Sequence, residues 1–79
     1  MPVSTLNAAV ARNTVRGRKH AGLTQEDLAE RTGIALRTLA RRESGLSRWT
    51  TDEIAAVADA LGINASDLMS TAEASADAA

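Results

Sequence analysis

Cysteine, phenylalanine and tyrosine are absent from this 79-residue chain, which has one proline and one aromatic residue, Trp49. Without cysteine, the chain forms neither a disulfide framework nor a thiolate metal site. The single histidine, His20, has no companion ligand, so we expect no metal and no cofactor. No apolar run approaches membrane-spanning length, and the N-terminus lacks the apolar segment of a signal peptide. We therefore expect a cytoplasmic protein without membrane contact.

The residues on which enzymes depend are equally scarce. The sequence has no cysteine nucleophile, a single histidine, no glycine-rich phosphate loop and no paired carboxylates in apolar surroundings. We therefore expect that this protein is not an enzyme.

Positive charge is confined to the first part of the chain. Residues 1–50 hold all nine Lys and Arg against four Asp and Glu, a net charge of +5. Residues 51–79 hold six acidic residues and no basic one, a net charge of −6. The whole chain carries −1, but this sorting by position is typical of a protein with one face for a polyanion. The alternative is a surface whose charges merely balance, which the sorting disfavours.

Capping residues and apolar spacing predict five helices and no strand. Thr24 and Thr50 each precede a carboxylate by three residues, which is the spacing of a capping box. Apolar residues recur at i, i+3, i+4 and i+7 from Ile54 to Leu61, as in an amphipathic helix. The expected bounds are about 6–20 after a cap at Ser4 or Thr5, 25–32 before Gly33, 35–44, 51–61 before Gly62, and a short turn after Asn64.

The length of the chain indicates a single domain. We assign residues 5–69 to it, with a flexible N-terminus at 1–4 and a flexible acidic tail at 70–79, which has no large side chain to bury. The tail ends in two alanines, and a role as a tag for a bacterial unfoldase-protease is disfavoured against that of a frayed end.

The most informative segment is residues 22–45, which predicts two short helices joined by a tight turn at Gly33. The second of these helices places Arg37 and Arg41 one turn apart, with no acidic residue four positions away on that face. An uncompensated pair of cations on a helix is typical of a surface that contacts phosphates or guanines in duplex DNA. The alternative is a solvated arginine face.

The order of residues across 14–69 resembles the phage Cro and repressor type of helix-turn-helix protein, the Xre-like family. The matching residues are Arg18, Gly22-Leu23-Thr24-Gln25, Leu28-Ala29, Gly33, Leu39, Arg41, Glu43, Gly45, Ile54, Val57-Ala58, Leu61-Gly62-Ile63 and Leu68. The resemblance implies an all-α, five-helix lambda-repressor-like domain. It also implies a homodimer that binds a near-palindromic DNA operator and regulates transcription as a repressor or Cro-like protein.

The resemblance further implies roles for single residues, of which Gln25 would bond a phosphate and brace the recognition helix. The residues expected to contact base edges are Ala35, Leu36, Arg37 and Arg41. Those expected at phosphates are Thr24, Gln25, Thr38, Arg42, Ser47, Arg48 and Trp49. Arg18 and Glu43 are expected to form an ion pair between the first and third helices. Leu68 and Met69 are expected at the dimer interface.

Several positions depart from the family pattern. Thr14 and Gly17 stand where large apolar residues are typical, and Leu36 stands at an often polar position. Arg42 occupies a usually packed apolar position, where its stem can cover the core while the guanidinium reaches solvent or a phosphate. For Trp49, a role as the aromatic anchor of the core is as well supported as contact with the DNA backbone or a dimer partner.

A rival interpretation keeps the same fold but assigns a different function. In it, the protein is a protein-interaction module, antitoxin-like or an adaptor, with little or no operator binding. The cationic face of the third helix disfavours this interpretation, because an adaptor need not keep that charge. Salt dependence separates the two, since DNA binding weakens steeply with added salt.

Overall fold

The computed structural model describes residues 2–71, which form five helices and no strand. The helices are α1 Pro2–His20, α2 Gln25–Thr32, α3 Leu36–Glu43, α4 Thr51–Leu61 and α5 Ala65–Leu68. The predicted all-α, five-helix fold is therefore confirmed. Within the described range, no helix combines the length and apolar character needed to cross a membrane. Most of the predicted flexible tail, residues 72–79, lies outside the described residues.

Both predicted capping boxes are present. The Thr24 hydroxyl accepts a hydrogen bond from the Asp27 N–H at 3.0 Å, and the Asp27 carboxylate accepts from the Thr24 N–H at 2.9 Å. Thr50 and Glu53 exchange the same two bonds at 3.1 and 2.9 Å. Gly33 ends α2 at φ 78°, a backbone conformation that glycine adopts without steric cost. Local sequence signals thus fix the bounds of the helices on either side of α3.

The start of α1 differs from the sequence prediction. The helix begins at Pro2 rather than near Leu6, so the backbone is already helical at Ser4 and Thr5 and neither residue caps it. Proline is compatible with the start of a helix for two reasons. Its ring fixes φ near the helical value, and its missing N–H costs no hydrogen bond, because the N–H groups of the first turn have no partner within the helix.

One apolar core receives side chains from every helix. Its buried members are Val10, Leu28, Leu39, Trp49, Val57, Ala58 and Leu68. The complete burial of Leu68 corrects its expected place at a dimer interface. Because α5 packs against α1 and α4, the Leu68 side chain is enclosed within its own chain. It cannot reach a second copy without unpacking the core.

Gly17 lies where α1 passes α4, and this close approach explains its departure from the family pattern. A Cβ atom added at Gly17 would lie 3.0 Å from Leu61 Cδ1, tighter than ordinary van der Waals contact. The absence of a side chain therefore lets the two helices pack closely, which offsets the intrinsic cost of glycine inside a helix, up to about 1 kcal/mol.

Thr14→Val is expected to raise the free energy of unfolding by about 1 kcal/mol, because a buried hydroxyl without a partner carries an uncompensated desolvation cost. Thr14 is fully buried, and its Oγ1 has no hydrogen-bond partner among the described residues. Valine has nearly the same shape and a similar helix propensity. Urea unfolding measures the difference. Thr14→Ser, which keeps the hydroxyl and loses a methyl group, is the control. A lower stability of the valine variant at an unchanged m-value would contradict the expectation.

Candidate nucleic-acid interface

Helix α3 buries one leucine in the core and exposes two arginines. Leu39 is fully buried in the core, whereas Arg37, Arg41 and Leu36 are exposed. Within residues 2–71, neither Arg37 nor Arg41 makes a side-chain hydrogen bond or ion pair. Two like charges one helical turn apart repel each other. The exposed pair Arg37 and Arg41 therefore favours an anionic partner from outside the chain.

The end of α3 is joined to α1 and α2 through the Glu43 carboxylate. Arg18 donates to it in a bidentate arrangement, from Nε to Oε2 at 2.9 Å and from Nη2 to Oε1 at 3.0 Å. Gln25 Nε2 donates to the same Oε1 at 2.9 Å, and Arg18 Nη1 donates to the Leu23 carbonyl at 2.9 Å. The two residues assigned to an ion pair are thus in contact, and Gln25 of α2 holds the end of α3 through the same carboxylate.

Arg42 and Ser47, both expected at phosphates, are bonded within the protein instead. Arg42 Nε lies 2.7 Å from Glu53 Oε1, and Nη2 donates to Oε2 at 3.2 Å. Arg42 Nη1 donates to the Ser47 hydroxyl. Glu53 neutralises the guanidinium, and this ion pair links α3 to the start of α4. The phosphate contacts expected of Arg42 and Ser47 stay predictions.

The loop after α3 is held by an asparagine of α1. Asn7 Nδ2 donates to the Ser47 carbonyl at 3.3 Å, and Asn7 Oδ1 accepts from the Trp49 N–H at 2.8 Å. The Trp49 side chain is only 9% exposed and belongs to the core. Its expected phosphate contact is therefore corrected, since the indole is packed inside the domain. Arg48, between the two bonded residues, is exposed.

The other residues expected at phosphates remain near the surface. Thr24 is exposed, with its hydroxyl in the capping box, and Thr38 is partly buried on α3. Ala35 is the exposed N-cap residue of α3, although its side chain makes no capping bond.

Among the described residues, no group of His, Cys, Asp and Glu is arranged to hold a metal ion.

Two asparagines of α1 were not identified from the sequence. Asn7 holds the loop after α3, and Asn13 Nδ2 donates to the carbonyls of Leu68 at 2.8 Å and Ser70 at 2.9 Å. Their partners are at least 40 positions away in the chain. No local pattern marks such bonds, so neither residue carried a sequence signal.

An apolar groove of about 260 Å³ lies between α1, the loop after α3, α4 and the end of α5. Leu6 and Met69 line it and are 47% and 37% exposed, and Trp49 and Ile54 also line it. Met69 is therefore accessible at the surface, in contrast to the buried Leu68 beside it in the chain.

Residues 16–68 match the helix-turn-helix family, which is more than half of the chain. NHTF from Neisseria, described as a hypothetical transcription factor, has a similar solved structure with 26% identity and a TM-score of 0.83, covering 94% of this chain and 85% of that one. The clp gene regulator ClgR from C. glutamicum is also similar, with 27% identity and a TM-score of 0.78, covering 89% of this chain and 91% of that one. No curated protein matched the chain. The chain belongs to the Xre-type helix-turn-helix family.

Proposed function

We propose that this protein is a transcription regulator that binds a specific sequence in duplex DNA through α3. The observation that carries this proposal is the exposed, unneutralised pair Arg37 and Arg41. The same helix carries Arg42, whose charge is paired with Glu53 inside the chain. Family membership and the two similar structures, described as a hypothetical transcription factor and a gene regulator, support a regulatory DNA-binding role rather than an enzymatic one.

In this proposal α3 lies in the major groove, where an arginine can donate two hydrogen bonds to a guanine. Arg37 and Arg41 supply the cationic contacts. Leu36, 42% exposed, is suited to a thymine methyl group, and Ala35 lies at the same end of the helix. These four residues form the proposed base-contacting set.

The proposed contacts with the DNA backbone come from the start of α2, from α3 itself and from the loop after α3. Thr24 and Gln25 lie at the start of α2, where free N–H groups and the positive end of the helix dipole favour a phosphate. Thr38 on α3 and Arg48 on the following loop complete this set. Because Glu43 already accepts a hydrogen bond from the Gln25 side chain, the amide of Gln25 is oriented before DNA arrives.

We also propose that the protein binds as a homodimer on a near-palindromic operator. One short α3 offers few base contacts, and two copies on half-sites about one helical turn apart would double them. The groove lined by Leu6 and Met69 supports a second copy at this surface, because it leaves both apolar side chains exposed in the single chain. Sedimentation of the free protein, compared with Met69→Glu, tests this interface. An unchanged dimer in the variant would exclude it.

Selection of duplex DNA from a random library, followed by sequencing, tests the function directly. The wild-type protein is expected to enrich a near-palindrome that Arg37→Ala/Arg41→Ala does not recover. The matched control is Lys19→Ala/Arg31→Ala, which removes the same charge from exposed positions outside α3. The control is expected to enrich the wild-type sequence, since it keeps the proposed base contacts.

The alternative function is a protein-interaction module, antitoxin-like or an adaptor, on the same fold. The exposed apolar groove is the observation that favours it, since apolar surface of this kind can bind a partner. If no sequence is enriched and any DNA binding is weak and lost with added salt, the operator proposal fails. A partner protein that binds at the groove would then support the alternative.

A further inference from the structure

The amide of Asn7 bonds to the main chain on both sides of Arg48. Its Nδ2 donates to the Ser47 carbonyl, and its Oδ1 accepts from the Trp49 N–H. These groups belong to the two peptide planes that flank the Cα atom of Arg48. The angle between those planes is set by the φ and ψ angles of Arg48. One side chain of α1 therefore fixes the backbone from which the Arg48 side chain projects.

The residues on either side of Arg48 are further anchored inside the protein. The Ser47 hydroxyl accepts a hydrogen bond from Arg42, and the Trp49 side chain is packed in the core. The Arg48 side chain, in contrast, is exposed and makes no hydrogen bond or ion pair with any described residue. The loop thus presents a single free cation from a backbone held on both sides, directly after α3.

We infer that Asn7 is a positioning residue that orients Arg48 toward a phosphate of the DNA that α3 contacts. This inference rests on the proposed function, and it assigns Asn7 no contact with DNA. Ordering a loop and a long side chain at the moment of binding costs affinity. With Asn7 in place, the loop is ordered when the protein folds, so only the Arg48 side chain remains to be fixed on binding.

The test is the salt dependence of binding to a fluorescently labelled duplex of random sequence. The binding constant K falls as salt is added, and the loss of one phosphate contact lowers the magnitude of the slope of log K against log salt concentration by about 0.9. Arg48→Ala is expected to show this change. Asn7→Ala is expected to lower the magnitude of the slope by about 0.5–0.9. In the Arg48→Ala background, Asn7→Ala is expected to cause no further decrease.

Asn13→Ala is the matched control, because it removes an asparagine of the same helix that bonds to the end of α5 instead of the loop. Asn13→Ala is expected to lose stability and keep the wild-type slope. If Asn7→Ala does not fold, Asn7→Leu is measured in its place, since leucine has nearly the same shape and also removes both hydrogen bonds.

The outcomes separate this inference from the proposed function. A wild-type slope for the folded Asn7 variant, beside a lowered slope for Arg48→Ala, overturns the positioning role of Asn7 alone. A wild-type slope for Arg48→Ala overturns the Arg48 phosphate contact and the inference with it. No salt-dependent binding by the wild-type protein overturns the proposed function itself.

Discussion

Glu43→Ala is expected to lower the free energy of unfolding by about 3–5 kcal/mol, the cost of removing one partner of a buried ion pair. The Glu43 and Arg18 side chains are 3% and 11% exposed, so the variant leaves a guanidinium largely enclosed without its carboxylate. Gln25 also loses the acceptor of its side-chain hydrogen bond. Small domains are stable by only about 5–15 kcal/mol. The variant should therefore lose a large fraction of its stability.

Urea unfolding followed by circular dichroism measures this loss. The informative control is Arg18→Met/Glu43→Leu, which removes both charges and fills the space with apolar side chains. Replacing a whole buried pair in this way is often neutral or stabilising. The double variant is therefore expected to recover most of the stability lost in Glu43→Ala. If it is as unstable as Glu43→Ala, the enclosed charge of Arg18 is not the cause of the loss.

Arg41→Ala is expected to lower the affinity for the selected operator by about 1–3 kcal/mol, roughly five- to 150-fold, if the guanidinium donates two bonds to a guanine. Its effect on folding should be within about 0.5 kcal/mol, because exposed side chains without specific contacts contribute little to stability. Arg41 is exposed and unpaired within the described range. Fluorescence anisotropy with the operator and with a random duplex measures both affinities.

The pattern of loss distinguishes the two kinds of contact. A loss confined to the operator indicates a base contact, whereas an equal loss on both duplexes with a lower salt slope indicates a phosphate contact. Arg31→Ala removes the same charge from an exposed position on α2 and serves as the control. Operator affinity equal to that of Arg31→Ala would show that Arg41 contributes only its charge.

A third expectation concerns the effect of low pH on the free energy of unfolding. Burial raises the pKa of Glu53, but hydrogen bonds from Arg42 and Thr50 and the charge of Arg42 outweigh it, so the pKa lies below its ordinary value of 4.5. A carboxyl group with a lower pKa in the folded state stabilises the fold above its unfolded pKa. This stabilisation is lost as the pH falls through the folded pKa.

The free energy of unfolding is therefore expected to fall as the pH drops below about 4.5, and Glu53→Gln should reduce this fall. The variant is also expected to be less stable at neutral pH, where the wild-type carboxylate is ionised and paired with Arg42. Urea unfolding from neutral pH to about pH 3 measures both effects. Asp27 also has a lowered pKa, because of its hydrogen bonds with Thr24. Both proteins contain Asp27, so its contribution is the same in the two stability curves. Parallel stability curves for the two proteins would contradict a contribution from Glu53.

The features that were predictable from the sequence depend on residues close together in the chain. Thr24 and Asp27 form a capping box because they are three residues apart on the same helix turn. Gly33 ends α2 for an equally local reason. The exposed pair Arg37 and Arg41 follows from helical spacing alone. Such signals sufficed for the number of helices, most of their bounds and the outward face of α3.

The features that were not predictable depend on contacts between distant elements. Glu53 was assigned only its local capping role, yet it also pairs with Arg42, which local spacing left free to reach a phosphate. The hydrophobicity of Leu68 predicts burial but does not distinguish packing inside its own chain from packing against a second chain. The position of α5 decides between the two. No local sequence pattern marks Asn7, because its hydrogen-bond partners, Ser47 and Trp49, lie at least 40 positions away in the chain.

The adjacent residues Arg42 and Glu43 tie α3 to different neighbours, one to α4 and the other to α1 and α2. The outward residues Arg37 and Arg41 take no part in either connection. In the proposed function, the residues that stabilise the fold and those that select the DNA sequence are therefore different side chains of one helix. The outward positions could then change during evolution with little loss of stability. A combinatorial library at Leu36, Arg37 and Arg41 should therefore yield mostly folded proteins with altered sequence preferences.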